Sequence, residues 1–262
     1  MGNLRVFLNA SENSVTRERL FFNRFYYDLK LAAAHRGIAL TVYEPEVDRD
    51  GFDVVIDDGD VTRFVQLKTV LKTSPTSLWR TRKRFLRPDR TLAEPQGIGG
   101  ADSGKGGAVV LIEIDASQYN PPVTYHVTDY SVLRILSSVL GRGTKHGPDR
   151  LLGARRTLAF RTWMELHRGS PDDKITLTKQ QFLKARDAAG VLALLDLHSE
   201  YDCYLPGTSL IMAEREGFRV EDDGFIDASA MSGIAKAHAR RCGESVLEVA
   251  DEPALRLHPN LS

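Results

Sequence analysis

The sequence predicts an α/β fold in which helices flank a mixed β-sheet. Three observations predict it. Residues 14–36, SVTRERLFFNRFYYDLKLAAAHR, repeat apolar positions at helical spacing and contain no Pro or Gly. Residues 52–56 and 62–70 are two apolar runs joined by Asp57-Asp58-Gly59-Asp60, a hairpin signal. Residues 108–114, AVVLIEI, and 123–127, VTYHV, read as two further strands leading into a helical stretch at 130–140. Elements in this order pack as layers around one sheet.

Each element has its own local signals. In the first helix Phe22, Phe25, Leu29 and Ala33 form a stripe, with Glu18 on its N-terminal extension. Ser14 suits the N-cap and Gly37 the stop. Residues 38–43, IALTVY, alternate as a strand. If Asp58-Gly59 forms a two-residue turn, Asp53 pairs with Phe64. Residues 72–107 form a long connection whose end, GIGGADSGKGG, is expected to be mobile and lacks the pattern of a phosphate loop. Asp129 is placed to cap the helix at 130–140. Thr157–His167 has strand character, and Thr178–Ala189 looks helical with Thr178 as its cap. Residues 191–197 suit either helix or strand, and a short helix is expected around Ala228–Arg241. A boundary near 141–150 divides a core, 1–145, from a C-terminal α+β extension, 146–262.

Composition narrows the function classes. The 262 residues are 42% hydrophobic and 27% charged, enough for a large folded core. No run of about 18 apolar residues is present, so no membrane partner is expected. Two cysteines, Cys203 and Cys242, are too few for a disulfide framework or a zinc finger, and fit a reduced, cytoplasmic setting. Formal net charge is zero, but residues 72–91 hold seven basic residues and one acid, whereas residues 187–262 hold fourteen acids and six basic residues. A basic middle favours a polyanionic partner. His-Glu-x-x-His and Gly-x-Ser-x-Gly signatures are missing from the sequence.

The hairpin carries the chemistry. Side chains alternate along a strand, so Gln66 and Lys68 point the same way as Phe64. Asp53 joins that face, diagonal to Gln66 at about 7–8 Å. Phe52, Val54, Ile56, Val65 and Leu67 fall on the other face as core. A polar trio on a sheet face needs hydrogen bonds, ion pairing, a metal or solvent.

Asp53, a turn, and then Gln66-Leu67-Lys68 on the next strand resemble the PD-(D/E)XK nuclease superfamily. Phe52 stands where that motif has Pro, and Gln66 stands where it has an acid. The resemblance covers about residues 14–140. It implies a restriction-endonuclease-like core and metal-dependent hydrolysis of DNA in restriction or antiviral defence. It also implies Mg2+ as cofactor, with Mn2+ as a substitute. Asp53 would be the main charged ligand, Gln66 would offer its amide oxygen, and Glu18 would hold a second metal or a metal-bound water. Lys68 would orient the attacking water and offset charge at phosphorus. Asp50 is a rival ligand, and Glu12 a rival to Glu18. A homodimer with one site per strand fits the same picture, with the C-terminal region recognising DNA, pairing the protomers or binding a protein partner.

The loop Leu78–Arg90 interleaves Trp79 and Phe85 with basic residues. Lys72, Arg80, Arg82, Lys83, Arg84 and Arg87 are expected to form a phosphate track, while Trp79 and Phe85 anchor the loop to the core. His126 reads as a packed core histidine. Two other functions fit the residues: a nucleic-acid-binding module that lost catalysis with the triplet acid, and an interaction protein docking a partner through its acidic tail.

Overall fold

The computed structural model describes residues 2–46, 51–90, 103–138, 150–197, 219–220, 226–227 and 246–248. A short helix α1 (Gly2–Asn9) precedes α2 (Ser14–Ala34). Strands β1 (Thr41–Tyr43), β2 (Val54–Asp57) and β3 (Thr62–Leu71) follow. Next come β4 (Leu78–Arg82), a single turn α3 (Lys83–Leu86), β5 (Ala108–Ile114) and β6 (Val123–Thr128). Helices α4 (Tyr130–Ser138) and α5 (Arg150–Leu166) lead to β7 (Lys174–Thr178), β8 (Leu183–Ala185) and α6 (Ala188–Leu194). Short pieces β9 (Arg219–Val220), β10 (Ile226–Asp227) and β11 (Val246–Glu248) complete the described chain.

The sheet is mixed. Its strands run in the order β1-β2-β3-β5-β6-β8, with β11 added beside β8. β3 and β5 are parallel, and the other neighbours are antiparallel. A parallel pair needs a crossover between its strands. Here the crossover contains β4, which leaves the sheet and pairs with β7 as a separate two-stranded ribbon. Helices lie on the sheet, so the class is α/β.

Both faces of the sheet are covered. On one, Phe21, Phe25, Leu29 and Ala33 of α2 pack on Val54, Ile56, Val65, Leu67, Val110 and Ile112. The stripe thus begins at Phe21, with Phe22 only partly buried beside it. On the other, Val70, Val109 and Leu111 meet Trp79, Ile175 and Leu177 of the ribbon and Tyr130 and Leu133 of α4. Phe52 belongs to this second side: it packs on Phe64 with ring centroids 5.0 Å apart. The chain reaches β2 through Gly51 at φ +83°, and this turn sends Phe52 away from Val54.

Several expectations are corrected by tertiary context. Thr157–His167 lies almost wholly within helix α5, where Ala159, Thr162 and Leu166 are buried at helical spacing. Thr178 closes strand β7. A single 3-10 turn, Lys179–Gln181, follows, and residues 183–185 are a strand. Residues 191–194 belong to α6. Residues 150–197, expected in an accessory region, supply β7 against β4, β8 against β6, and α6 to the α2 side of the core. The expected helix at 228–241, the boundary at 141–149 and residues 97–102 of the Gly-rich run fall outside the described residues. Asp129 does cap α4, accepting the Val132 amide at 2.7 Å, and it also meets Arg63 of β3 at 3.2 Å in a buried ion pair.

The end of the Gly-rich run is held against α3. The amides of Gly104, Lys105, Gly106 and Gly107 donate to the carbonyls of Pro88, Arg84, Arg87 and Phe85. A Cβ on Gly107 would lie 2.2 Å from the Phe85 ring, whose side chain is 1% exposed. Gly107→Ala is therefore expected to destabilise the fold by about 1–3 kcal/mol, the usual range for overpacking. Urea unfolding measures it, and an unchanged midpoint contradicts this packing.

Candidate active site

Strand pairing sets the positions of the candidate residues. The observed register is Asp57↔Thr62, Ile56↔Arg63, Val55↔Phe64 and Val54↔Val65. Before Val54 this register slips by one: the Asp53 amide donates to the Val65 carbonyl, so Asp53 falls beside Val65 and not opposite Phe64. The turn is longer than two residues: Asp57 accepts the Gly59 amide, and Asp58 accepts the amides of Asp60 and Val61. The pairing differs from the expected one by two residues. Within Val54–Asp57 an even shift leaves the side chains on their expected faces, but ahead of Val54 the ladder slips by one and Phe52 joins the second core instead of the first.

Asp53 sits where β2 begins. Its amide donates to the Val65 carbonyl at 2.9 Å, and its Oδ2 accepts the Leu67 amide at 2.6 Å. The carboxylate is thereby fixed at the backbone between Gln66 and Lys68. Gln66 is buried, 8% exposed, and its Oε1 is shut off from solvent with no hydrogen-bond partner. An acceptor left in that state costs about 1–3 kcal/mol. Lys68 is half-buried and makes no ion pair among the described residues, so the alternative of a direct Lys68–Asp53 salt bridge is not what holds it.

Helix α2 approaches the same corner through Tyr26. Burial raises the Tyr26 phenol, the Glu44 carboxylate raises it further, and Asp53 adds a smaller push in the same direction. Glu44 is in turn held by Arg19 at 2.8 Å. Glu18 behaves differently. It is exposed and makes no hydrogen bond or ion pair among the described residues. At 1.5 Å per residue it lies about 12 Å along the helix from Tyr26. Glu12 is exposed on a 3-10 turn, and Asp50 lies outside the described residues. Among the described residues no three His, Cys, Asp or Glu side chains are grouped to hold a metal. The candidate oxygen donors nearest the Leu67 amide in the chain are the Asp53 carboxylate, which accepts it, and the unpaired Gln66 Oε1. Both are hard ligands, and such a set suits a magnesium ion that keeps most of its waters.

The expected phosphate track divides into two parts. Arg80, Arg82 and Arg84 are exposed. Lys83 is 3% exposed, and its Nζ reaches Glu165 at 2.6 Å and the Arg168 carbonyl at 2.9 Å. Arg87 is 1% exposed, with Nε donating to the Leu166 carbonyl. These two charges tie α3 to the end of α5 and present nothing to a polyanion. Lys72 pairs with Asp115 at 2.9 Å on the surface. Trp79 and Phe85 are buried anchors of the loop, as expected.

A second charged group was not anticipated. On β5, Glu113 Oε2 lies 3.0 Å from His126 Nε2 and 2.5 Å from Lys179 Nζ. His126 is indeed a packed histidine, 4% exposed, and burial lowers its affinity for a proton. The only signal in the sequence was an acid inside the apolar run AVVLIEI.

Comparisons with protein-family models, with curated proteins and with solved structures find no match to this chain.

His126 first, and then Lys179, hold the Glu113 carboxylate down to about 2 against the opposing effect of burial. A carboxylate depressed on folding adds stability that is complete above its unfolded value, near 4.3, and is lost as pH falls towards 2. Wild type is therefore expected to lose stability between about pH 4.5 and 2 more steeply than Glu113→Gln. Denaturant midpoints across that window measure the difference, and parallel curves contradict it.

Proposed function

We propose that this protein is a metal-dependent nuclease that hydrolyses phosphodiester bonds in DNA, built on a restriction-endonuclease-like core. The observation that supports the reading is the bond from the Leu67 amide to the Asp53 carboxylate, which holds Asp53 against the β3 backbone between Gln66, whose Oε1 has no hydrogen-bond partner, and Lys68. A phosphodiester is attacked by water while negative charge grows on the phosphoryl oxygens. A magnesium ion held by Asp53 and Gln66 supplies Lewis-acid polarisation of that group. Lys68, half-buried and without an ion-pair partner among the described residues, is available to hold the attacking water by a hydrogen bond and to offset the growing charge. The Leu67 amide fixes the Asp53 carboxylate, so the first ligand needs little rearrangement to bind.

One observation favours a second reading. Among the described residues no three His, Cys, Asp or Glu side chains are grouped to hold a metal, and Glu18 is exposed without a hydrogen bond or ion pair. A non-catalytic nucleic-acid-binding module needs no such group.

Cleavage assays separate the two. Plasmid, linear duplex, single-stranded DNA and RNA are incubated with Mg2+, with Mn2+ and with EDTA. Wild type is expected to cut DNA only with metal. Asp53→Ala and Lys68→Ala are each expected to lower the rate by roughly a hundredfold or more, the scale of losing one charge-stabilising group. Lys68→Ala should keep most of its affinity for DNA. Cleavage unaffected by Asp53→Ala removes the mechanism. Binding without cleavage in either ion supports the module instead. Gln66→Glu, which adds the missing charge, is expected to lower the Mg2+ concentration needed for half-maximal cleavage.

A further inference from the structure

We propose that the outer face of the β4–β7 ribbon grips the phosphate backbone of duplex DNA and leads it to Asp53; this rests on the nuclease reading for the identity of the polyanion. The antiparallel register is Leu78↔Thr178, Arg80↔Thr176 and Arg82↔Lys174. Burial alternates along both strands. Trp79, Thr81, Ile175 and Leu177 point inward, while Arg80, Arg82, Lys174 and Thr176 are exposed. Directly paired residues share a face, so two arginines, a lysine and a threonine hydroxyl lie side by side.

Arg82 stands opposite Lys174, and like charges directly across a ladder oppose pairing. Glu165 and Asp173 both turn towards buried Lys83, at 2.6 and 3.8 Å, which leaves Asp172 on the adjoining turn. Arg80 and Lys174 make no ion pair among the described residues. A polyanion meeting Arg80 and Lys174 would release its counterions, which favours binding.

The face is firmly backed. Trp79 meets Phe182 edge-on at 6.0 Å, and Ile175 and Leu177 sit in the second core. It is also continuous with the candidate site. A Cβ on Gly51 would lie 3.8 Å from Arg82 Cδ, so the Arg82 stem passes within two residues of Asp53.

The test compares Arg80→Ser/Lys174→Ser with Lys30→Ser/Arg36→Ser, which removes two exposed charges from α2 and the turn that ends it, on the far side of the sheet. Fluorescence anisotropy with a labelled 30-base-pair duplex in EDTA reads binding without cleavage, at several salt concentrations. The ribbon variant is expected to bind at least tenfold more weakly. Its plot of log affinity against log salt should be shallower by about two, one phosphate contact per charge removed. The α2 variant should match wild type, and both should melt as wild type does. If wild type binds and cuts and the ribbon variant binds equally well, this inference falls and the nuclease reading stands. If wild type binds without cutting and the ribbon variant loses affinity, the nuclease reading falls and the ribbon stands. Equal losses in both variants, or no binding by wild type at any salt, overturn the inference.

Discussion

The Leu67 amide donates to the Asp53 carboxylate at the point where β2 starts to pair with β3, and the candidate chemistry depends on that bond. A backbone amide next to a strand end needs an acceptor. Here a side chain supplies it, and in doing so the carboxylate is pinned within one residue of both Gln66 and Lys68. Gly51 and the Val65 carbonyl complete the arrangement, the first by turning the chain and the second by holding the Asp53 amide. The remaining sheet follows from the same strand. β3 pairs with β2 on one side and runs parallel to β5 on the other, so its register is fixed from both edges.

Burial on both faces shapes the polar groups. A sheet with one wet face could leave Gln66 and Lys68 in solvent. In this protein that face also carries Val70, Val109 and Leu111 under the ribbon and α4. Buried charges there must be paired. Arg63 meets Asp129, Glu113 meets His126, and Lys83 meets Glu165, each joining elements distant in sequence. Gln66 Oε1 has no such partner, which sets it apart from these structural pairs.

Local signals made α2, β3, β5, β6 and the Asp129 cap legible in the sequence. Their periodicity is written within a dozen residues. The shared face of Phe64, Gln66 and Lys68 was legible for the same reason, whereas Asp53 lies where the ladder slips by one, which alternation does not show. The ribbon was not recognised, although Leu78–Arg82 does alternate, because its partner strand lies about 95 residues later and arginine-rich text resembles a solvated loop. Lys83 and Arg87 share that text but turn inward to carbonyl and carboxylate groups at the end of α5. Helix α5 was hidden by β-prone residues such as Thr157, Phe160 and Trp163, whose preference yields to packing. The place of Glu18 was not readable in the same way, because a stripe shows which side of a helix faces the sheet and not which turn meets a given strand.

The amide at position 66 follows from these constraints. Gln66 is 8% exposed, between Phe64 and Val70 on the covered face. A carboxylate in that position would carry a full charge into apolar surroundings and, without a metal, would take up a proton or weaken the fold. An amide oxygen costs far less to bury and still offers a lone pair to a cation. On the proposed nuclease reading the chain would fold before any ion binds, and the charge that attracts one would rest on Asp53. In keeping with that division, the Asp53 carboxylate is tied down by the Leu67 amide, while the Gln66 Oε1 is held by packing without a hydrogen bond.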